Sequence, residues 1–138
     1  MATSSAAPEP TAGSSVGETL DQIVARDAAT VSSLTGSWVP QVSSKRVGLE
    51  ADGVVYDQEA ILVDHLQLRS RYPDAVLLRS DRFATFSSSG FFVTVVAASF
   101  TTPTAANAWC DRAGLPADGC FAKRLATSTG GGPSTVPR

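Results

Sequence analysis

Apolar residues follow two different periods in turn along the middle of the chain, between Trp38 and Leu125. Alternation with a period of two predicts a strand, and recurrence every three and four residues predicts a helix. Read in order, the segments predict strand, helix, strand, strand, helix, strand. The predicted strands cover residues 38–43, 75–79, 91–100 and 119–126, and the predicted helices cover residues 58–72 and 103–113.

This order of elements predicts the fold class, which is α+β. Two strand–helix–strand halves joined by a turn form the βαββαβ arrangement of ferredoxin-like sheets. Right-handed crossovers place both helices on one face of a four-stranded antiparallel sheet, with the first and third strands in the middle. The reverse face then carries no helix, and we expect it to be open to solvent and to serve as a binding surface.

Local signals mark where the elements begin, end or distort. Asp57 and one of Thr101 and Thr102 have the short polar side chains that cap helix N-termini. Pro73 and Gly114 end the same two helices. Pro40 lacks the amide that a strand interior needs, so the first strand either pairs on one side only at that point or bulges. Residues 45–56 form either a short hairpin or a plain loop.

Composition divides the chain into four parts. Residues 1–17 are mostly Ala, Ser, Thr, Pro and Gly and predict a disordered linker. Residues 18–35 predict an amphipathic N-terminal helix, which either packs on the domain or forms a stalk leading into it. Residues 36–126 form the α+β domain, and the Gly-rich segment 127–138 predicts a disordered tail.

Charge and apolar content exclude several classes of partner. The chain has 11 basic and 13 acidic side chains and a net charge of −2, which argues against general electrostatic binding to nucleic acid. No apolar run approaches the length of a membrane span, so we expect no membrane insertion of this segment. His65 is the single histidine and belongs to the apolar stripe of its helix, so we predict no catalytic residues, no metal and no cofactor.

Cys110 and Cys120 are the two cysteines, and three interpretations compete for them. The chain reverses between a helix end and a strand start, which allows a disulfide in an oxidising compartment. The alternatives are two separate reduced core thiols and a metal or redox pair. The disulfide is the favoured interpretation.

Two surface features suggest binding. If Gln41 and Ser43 point to the open face, then Arg79, Thr94 and either Lys123 or Arg124 join them there, depending on register. Amide, hydroxyl and guanidinium groups over a shallow surface suit a polyhydroxylated ligand such as a glycan. The second feature is a set of phenylalanines that we expect to leave an exposed apolar patch: Phe83, Phe86 and Phe91.

The segment WVPQVSS, the long helix after it, the strand FFVTVVA and the closing strand resemble the SPOR domain. That family has a ferredoxin-like fold and binds peptidoglycan, with a preference for glycan strands stripped of stem peptides. By position, the resemblance implies that Gln41 and Ser44 contact glycan, with Arg79 as a further candidate. The segments GSWVPQVSSKRVGLEADGVVYD and NAWCDRAGLPADGCFAKRL also look like an extracytoplasmic C-terminal domain of actinobacterial membrane proteins, some of which are serine/threonine kinases.

Two functional hypotheses follow. The first is a non-catalytic extracytoplasmic module of the cell envelope that binds peptidoglycan glycan through the open sheet face. The second is a protein-interaction or sensory ectodomain of a membrane protein, without glycan affinity. Either module would belong to a membrane-anchored or secreted protein, and its partner would be cell-wall glycan or an envelope protein.

Overall fold

A computed structural model describes residues 19–130 and 132–138 of the chain. These residues form a mixed α+β domain with three α-helices and a five-stranded antiparallel sheet. The helices are α1 (Leu20–Ser33), α2 (Gln58–Arg71) and α3 (Pro103–Ala113). The strands are β1 (Trp38–Lys45), β2 (Glu50–Ala51), β3 (Val54–Val55), β4 (Ala75–Arg79), β5 (Phe92–Val96), β6 (Phe121–Arg124) and β7 (Thr135–Val136).

The main sheet has the strand order β4-β5-β1-β6-β7, so β1 and β5 lie side by side in its interior. The prediction of four strands is therefore wrong. The additional strand, β7, lies in the segment predicted as a disordered tail, and it pairs with the outer edge of β6. Lys123 Nζ donates to Thr135 Oγ1 at 2.8 Å. This hydrogen bond joins β6 to β7, and the local sequence does not predict it. Strands β2 and β3 form a separate hairpin, which resolves the alternative for residues 45–56.

The helix ends follow the predicted signals. Asp57 Oδ1 accepts a hydrogen bond from Ala60 N at 2.8 Å, and Thr102 Oγ1 accepts one from Ala105 N at 3.2 Å. These side chains satisfy amides that have no partner within their own helices. Gly114 ends α3 in the left-handed conformation with φ 74°. The predictions for both N-caps and for Gly114 are confirmed.

Helix α1 packs against the domain and covers the outer edge of β4. Asp27 is 5% exposed, and its Oδ2 accepts a hydrogen bond from Leu77 N at 2.9 Å. This bond satisfies an amide at the sheet edge that would otherwise be buried without a partner. Arg26 and Arg69 lie 3.6 and 3.8 Å from Asp27 Oδ1. Of the two alternatives for this helix, packing on the domain is the one observed.

A β-bulge interrupts β1 between Gln41 and Ser43. Gln41 pairs with Val95 but Ser43 pairs with Thr94, so the strand holds one extra residue at this point. A bulge shifts the alternation of side chains by one position. Ser43 therefore lies on the helix-bearing face with Thr94, whereas Ser44 returns to the face that carries Gln41.

The reverse face of the sheet is covered, so the prediction of an open face is wrong. Val39, Val93 and Val95 on this face are each 0% exposed. The covering groups are Phe83, the partly buried Phe86 and Phe91, and the C-terminal part of α1. The strands are apolar on both faces, and burial of both is more stable than exposure of one. The predicted phenylalanine patch is likewise wrong, because Phe83 is 3% exposed and forms part of this cover.

Helices α2 and α3 lie on the opposite face. There Cys110 and Cys120 form a disulfide with Cα atoms 5.7 Å apart, as favoured from the sequence. The disulfide is compatible with an extracytoplasmic protein. Among residues 19–130 and 132–138, no helix combines the length and the apolar character needed to cross a membrane.

Candidate binding groove

Two adjoining clefts meet at Gln41 of β1, and together we call them the Gln41 groove. The larger cleft, of about 530 Å³, lies between the end of β1 and the loop that precedes β6. The smaller cleft, of about 210 Å³, lies between β1, β6 and the connection from β4 to β5. Both clefts are lined by Gln41, Ser44 and Phe121.

Gln41 is the buried polar centre of the groove. The residue is 8% exposed, and its Oε1 has no hydrogen-bond partner among the described residues. A buried carbonyl oxygen without a donor costs about 1–3 kcal/mol. A ligand that presents an N–H or O–H group in the groove would supply the missing donor.

Phe121 lies directly opposite Gln41 in the pairing of β1 with β6. Opposite residues of an antiparallel pair project to the same face, so the ring stands beside the glutamine amide. Phe121 is partly exposed. An aromatic surface next to a few oriented polar groups is typical of small-molecule binding sites.

Lys123 lies two residues further along β6, at the smaller cleft, and is 7% exposed. Its Nζ donates to the carbonyl oxygen of Thr85 at 2.7 Å and to Thr135 Oγ1 at 2.8 Å. The ammonium also lies 4.7 Å from the centre of the Phe86 ring. Burial lowers the pKa of Lys123, and the nearby charge of Arg124 lowers it further.

The larger cleft carries charges of both signs. Lys45 contributes a cation, and its Nζ donates to Ser43 Oγ at 2.9 Å. Asp52 and Asp118 are exposed acidic residues of the same cleft. One cation and two carboxylates therefore offer a polar ligand both hydrogen-bond donors and acceptors.

The structure brings together two of the three predicted ligand-binding residues. Gln41 and Ser44 line the same groove, but Arg79 lies on the other face of the sheet. There its guanidinium lies 4.7 Å from the centre of the Phe92 ring and 3.7 Å from Asp21 Oδ1. Arg79 therefore does not share a site with the other two.

Two more residues expected on the open face point towards α2. Thr94 Oγ1 lies 2.9 Å from His65 Nδ1, and Ser43 Oγ donates to Asp64 Oδ2 at 2.6 Å. The expectation for these two residues is wrong. The bulge changes the alternation of β1 at Ser43, and Thr94 of β5, which pairs with Ser43, lies on the same face. The register also decides between Lys123 and Arg124 in β6. Lys123 pairs with Val39, which shares a face with Gln41, so Lys123 is the residue on the Gln41 face.

Sequence reasoning missed Phe121 as a groove residue. The signal was present, because Phe121 and Lys123 are two residues apart and must share one face of a strand. Which face they share depends on the pairing of β6 with β1, and that pairing is a long-range feature.

His65 occupies a buried position between α2 and the sheet and is 1% exposed. Desolvation lowers the pKa of His65 to about 4 and outweighs the opposing effect of Asp27. The imidazole is therefore neutral at physiological pH. Across the part of the chain that the structure describes, no group of three His, Cys, Asp or Glu side chains is placed to hold a metal ion.

No protein-family model, curated protein or solved structure matches this chain. The resemblance to the SPOR domain therefore stays a prediction from sequence.

Proposed function

We propose that this protein is a non-catalytic, extracytoplasmic binding module that holds peptidoglycan glycan strands in the Gln41 groove. The observation that carries the proposal is the unpartnered Oε1 of the buried Gln41, placed between two clefts and beside Phe121. Sugar rings carry both hydroxyl or acetamido donors and apolar C–H faces. A glycan can therefore satisfy the glutamine oxygen and cover the phenylalanine ring in one pose.

The order and pairing of the strands support the SPOR-like interpretation in this proposal. The βαββαβ order and the neighbouring positions of β1 and β5 agree with a ferredoxin-like, SPOR-like arrangement, to which α1 and β7 are additions. The disulfide supports an oxidising compartment outside the cytoplasm. Because the reverse face is covered, we place the ligand in the groove at one end of that face and not across the whole sheet.

Retention on purified peptidoglycan sacculi at low salt tests the proposal. The wild-type chain should co-sediment with the sacculi, and Gln41→Ala should release most of it. Gln41 Oε1 has no partner to lose within the described residues, so this substitution should leave the fold intact. Gln67→Ala, the same change at an exposed position on α2, should be retained like the wild type. Absence of the wild-type chain from the pellet would remove the proposal.

A different surface supports a second candidate, a protein-interaction ectodomain. Val54 and Val55 on the β2–β3 hairpin are 44% and 64% exposed, and Val63 on α2 is 46% exposed. Val54 and Val63 also line one shallow cleft of about 430 Å³ beside Tyr56. Adjoining apolar side chains at a surface are typical of protein contacts.

We call Val54, Val55 and Val63 the valine surface, and its role can be tested separately from the glycan proposal. Val55→Asp should abolish capture of an envelope protein by the immobilised chain while leaving sedimentation with sacculi unchanged. Gln41→Ala should have the reverse effect. If Val55→Asp leaves protein capture intact, the valine surface has no such role.

A further inference from the structure

The smaller cleft differs from the larger one in its charge. Among the described residues that line the smaller cleft, Lys123 is the only charged one. The other polar groups include the hydroxyls of Ser44, Ser87 and Ser88, and the last two residues are exposed at the cleft mouth. A cleft with one ammonium, several hydroxyl donors and no acidic side chain is complementary to an anion.

The surroundings of Lys123 leave its charge without a counter-ion. Its two hydrogen-bond acceptors, a carbonyl and a hydroxyl, are neutral. An ammonium has three donors, and besides these two acceptors the described residues offer Lys123 only the Phe86 ring, whose centre lies 4.7 Å away, and no anionic acceptor. Buried charges in proteins are normally paired with an opposite charge, because desolvation is otherwise uncompensated. The lowered pKa of this ammonium agrees with such a position.

Gln41 adds a second requirement at the same place. Its unpartnered Oε1 needs a donor, whereas Lys123 needs an acceptor that carries negative charge. A single lysine matches one singly charged group better than a phosphate, which carries up to two charges and is commonly held by arginine forks. At about 210 Å³ the cleft is smaller than the usual site for a drug-sized ligand, so it suits one ring of a longer chain.

We propose that the smaller cleft binds a sugar acid, with its carboxylate on Lys123 and its acetamido or hydroxyl donor on Gln41 Oε1. The inference deepens the proposed function and rests on it, since it assigns the charged unit of the glycan to a defined end of the groove. The serine hydroxyls at the cleft mouth donate to the second carboxylate oxygen. A neutral N-acetylated sugar lacks the group that compensates the ammonium, so the cleft discriminates against it.

Calorimetric titration of the full chain with three soluble tetrasaccharides of equal length tests this inference. The first carries N-acetylmuramic acid units with free carboxylates, the second is its methyl ester, and the third is the N-acetylglucosamine tetramer. The acid should bind about tenfold more tightly than the other two, the usual effect of one charge-assisted hydrogen bond. Lys123→Met should remove the discrimination.

Substitution of a buried lysine is a severe change, so an exposed pair serves as a second variant. Ser87→Ala/Ser88→Ala should weaken binding of the acid and leave binding of the ester unchanged, and Ser70→Ala on α2 is the matched control. Equal affinity for acid and ester would overturn the sugar-acid inference and leave the glycan proposal standing. If no tetrasaccharide binds, both fail, and binding of a peptide through its free C-terminal carboxylate instead would identify the cleft as a peptide site.

Discussion

Gln41 and Ser44 lie on the same face of β1 although they are three residues apart, because the bulge between Gln41 and Ser43 inserts one extra residue. In a regular strand, residues three apart project to opposite faces. The bulge therefore places both side chains in the groove and turns Ser43 towards α2. Bulges that re-aim side chains are common beside functional sites.

The disulfide should contribute measurably to stability. Cys110 and Cys120 are ten residues apart, and closing a loop of that length stabilises the folded state by about 3 kcal/mol in the chain-entropy model. We expect Cys110→Ala/Cys120→Ala to lower the free energy of unfolding in urea by about this amount. Intact mass after alkylation should detect no free thiol before reduction and two after it. Two alkylated thiols in native material would contradict the disulfide.

Asp27 should be sensitive to substitution, since it satisfies the edge amide of Leu77. Asp27→Ala leaves that amide buried without an acceptor and should lower the free energy of unfolding by about 2 kcal/mol. Asp27→Asn keeps a side-chain oxygen and should lose less. Asp21→Ala is the control, because the Asp21 side chain is 82% exposed. Equal urea midpoints for Asp27→Ala and Asp21→Ala would refute this role.

His65 should make the protein less stable in acid. The unfolded chain takes up the imidazole proton near pH 6.5, but the folded chain does so only near pH 4. The unfolded state thus binds more protons between these values, and stability falls as the pH is lowered through them. The shift corresponds to a loss of about 3 kcal/mol for this group. Urea unfolding from pH 7 to pH 4 should show a smaller loss for His65→Gln, and identical profiles would contradict the assignment.

Phe83 should behave as a core residue and not as part of a binding patch. It is 3% exposed and packs against the reverse face of the sheet, so Phe83→Ala should cost about 3–5 kcal/mol. Val55→Ala is the comparison, because Val55 is 64% exposed and its truncation should change stability little. Chemical unfolding of the two variants distinguishes the roles. A Phe83→Ala variant as stable as Val55→Ala would mean that the reverse face is open after all.

Local sequence signals predicted the helices, their caps and the disulfide because each depends on residues close together in the chain. Asp57 needs only the amides of its own first turn, and Cys110 and Cys120 need only one chain reversal. The cover of the reverse face depends on Phe83 and on α1, which are distant in sequence from the strands that they bury. Patterning identified these residues as apolar but not the surface that they cover.

Part of the groove could be predicted because Gln41 and Ser44 lie close together in the chain. Gln41 and Ser44 came from a resemblance carried by the first strand, and the structure places both in the groove. Phe121 and Lys123 join them through the pairing of β6 with β1, and Thr135 joins through β7. A strand of two residues gives too little alternation to be recognised in a sequence. Arg79 was misplaced because the face of β4 was not fixed.

A ¹⁵N NMR titration of the chain with soluble peptidoglycan glycan strands free of stem peptides tests glycan binding in the Gln41 groove most directly. We expect saturable shifts of the amides of Gln41, Ser44 and Phe121, and no shifts at Val54, Val55 or Val63. Shifts confined to the valine surface, or a spectrum unchanged at saturating glycan, would contradict the claim that this groove binds glycan.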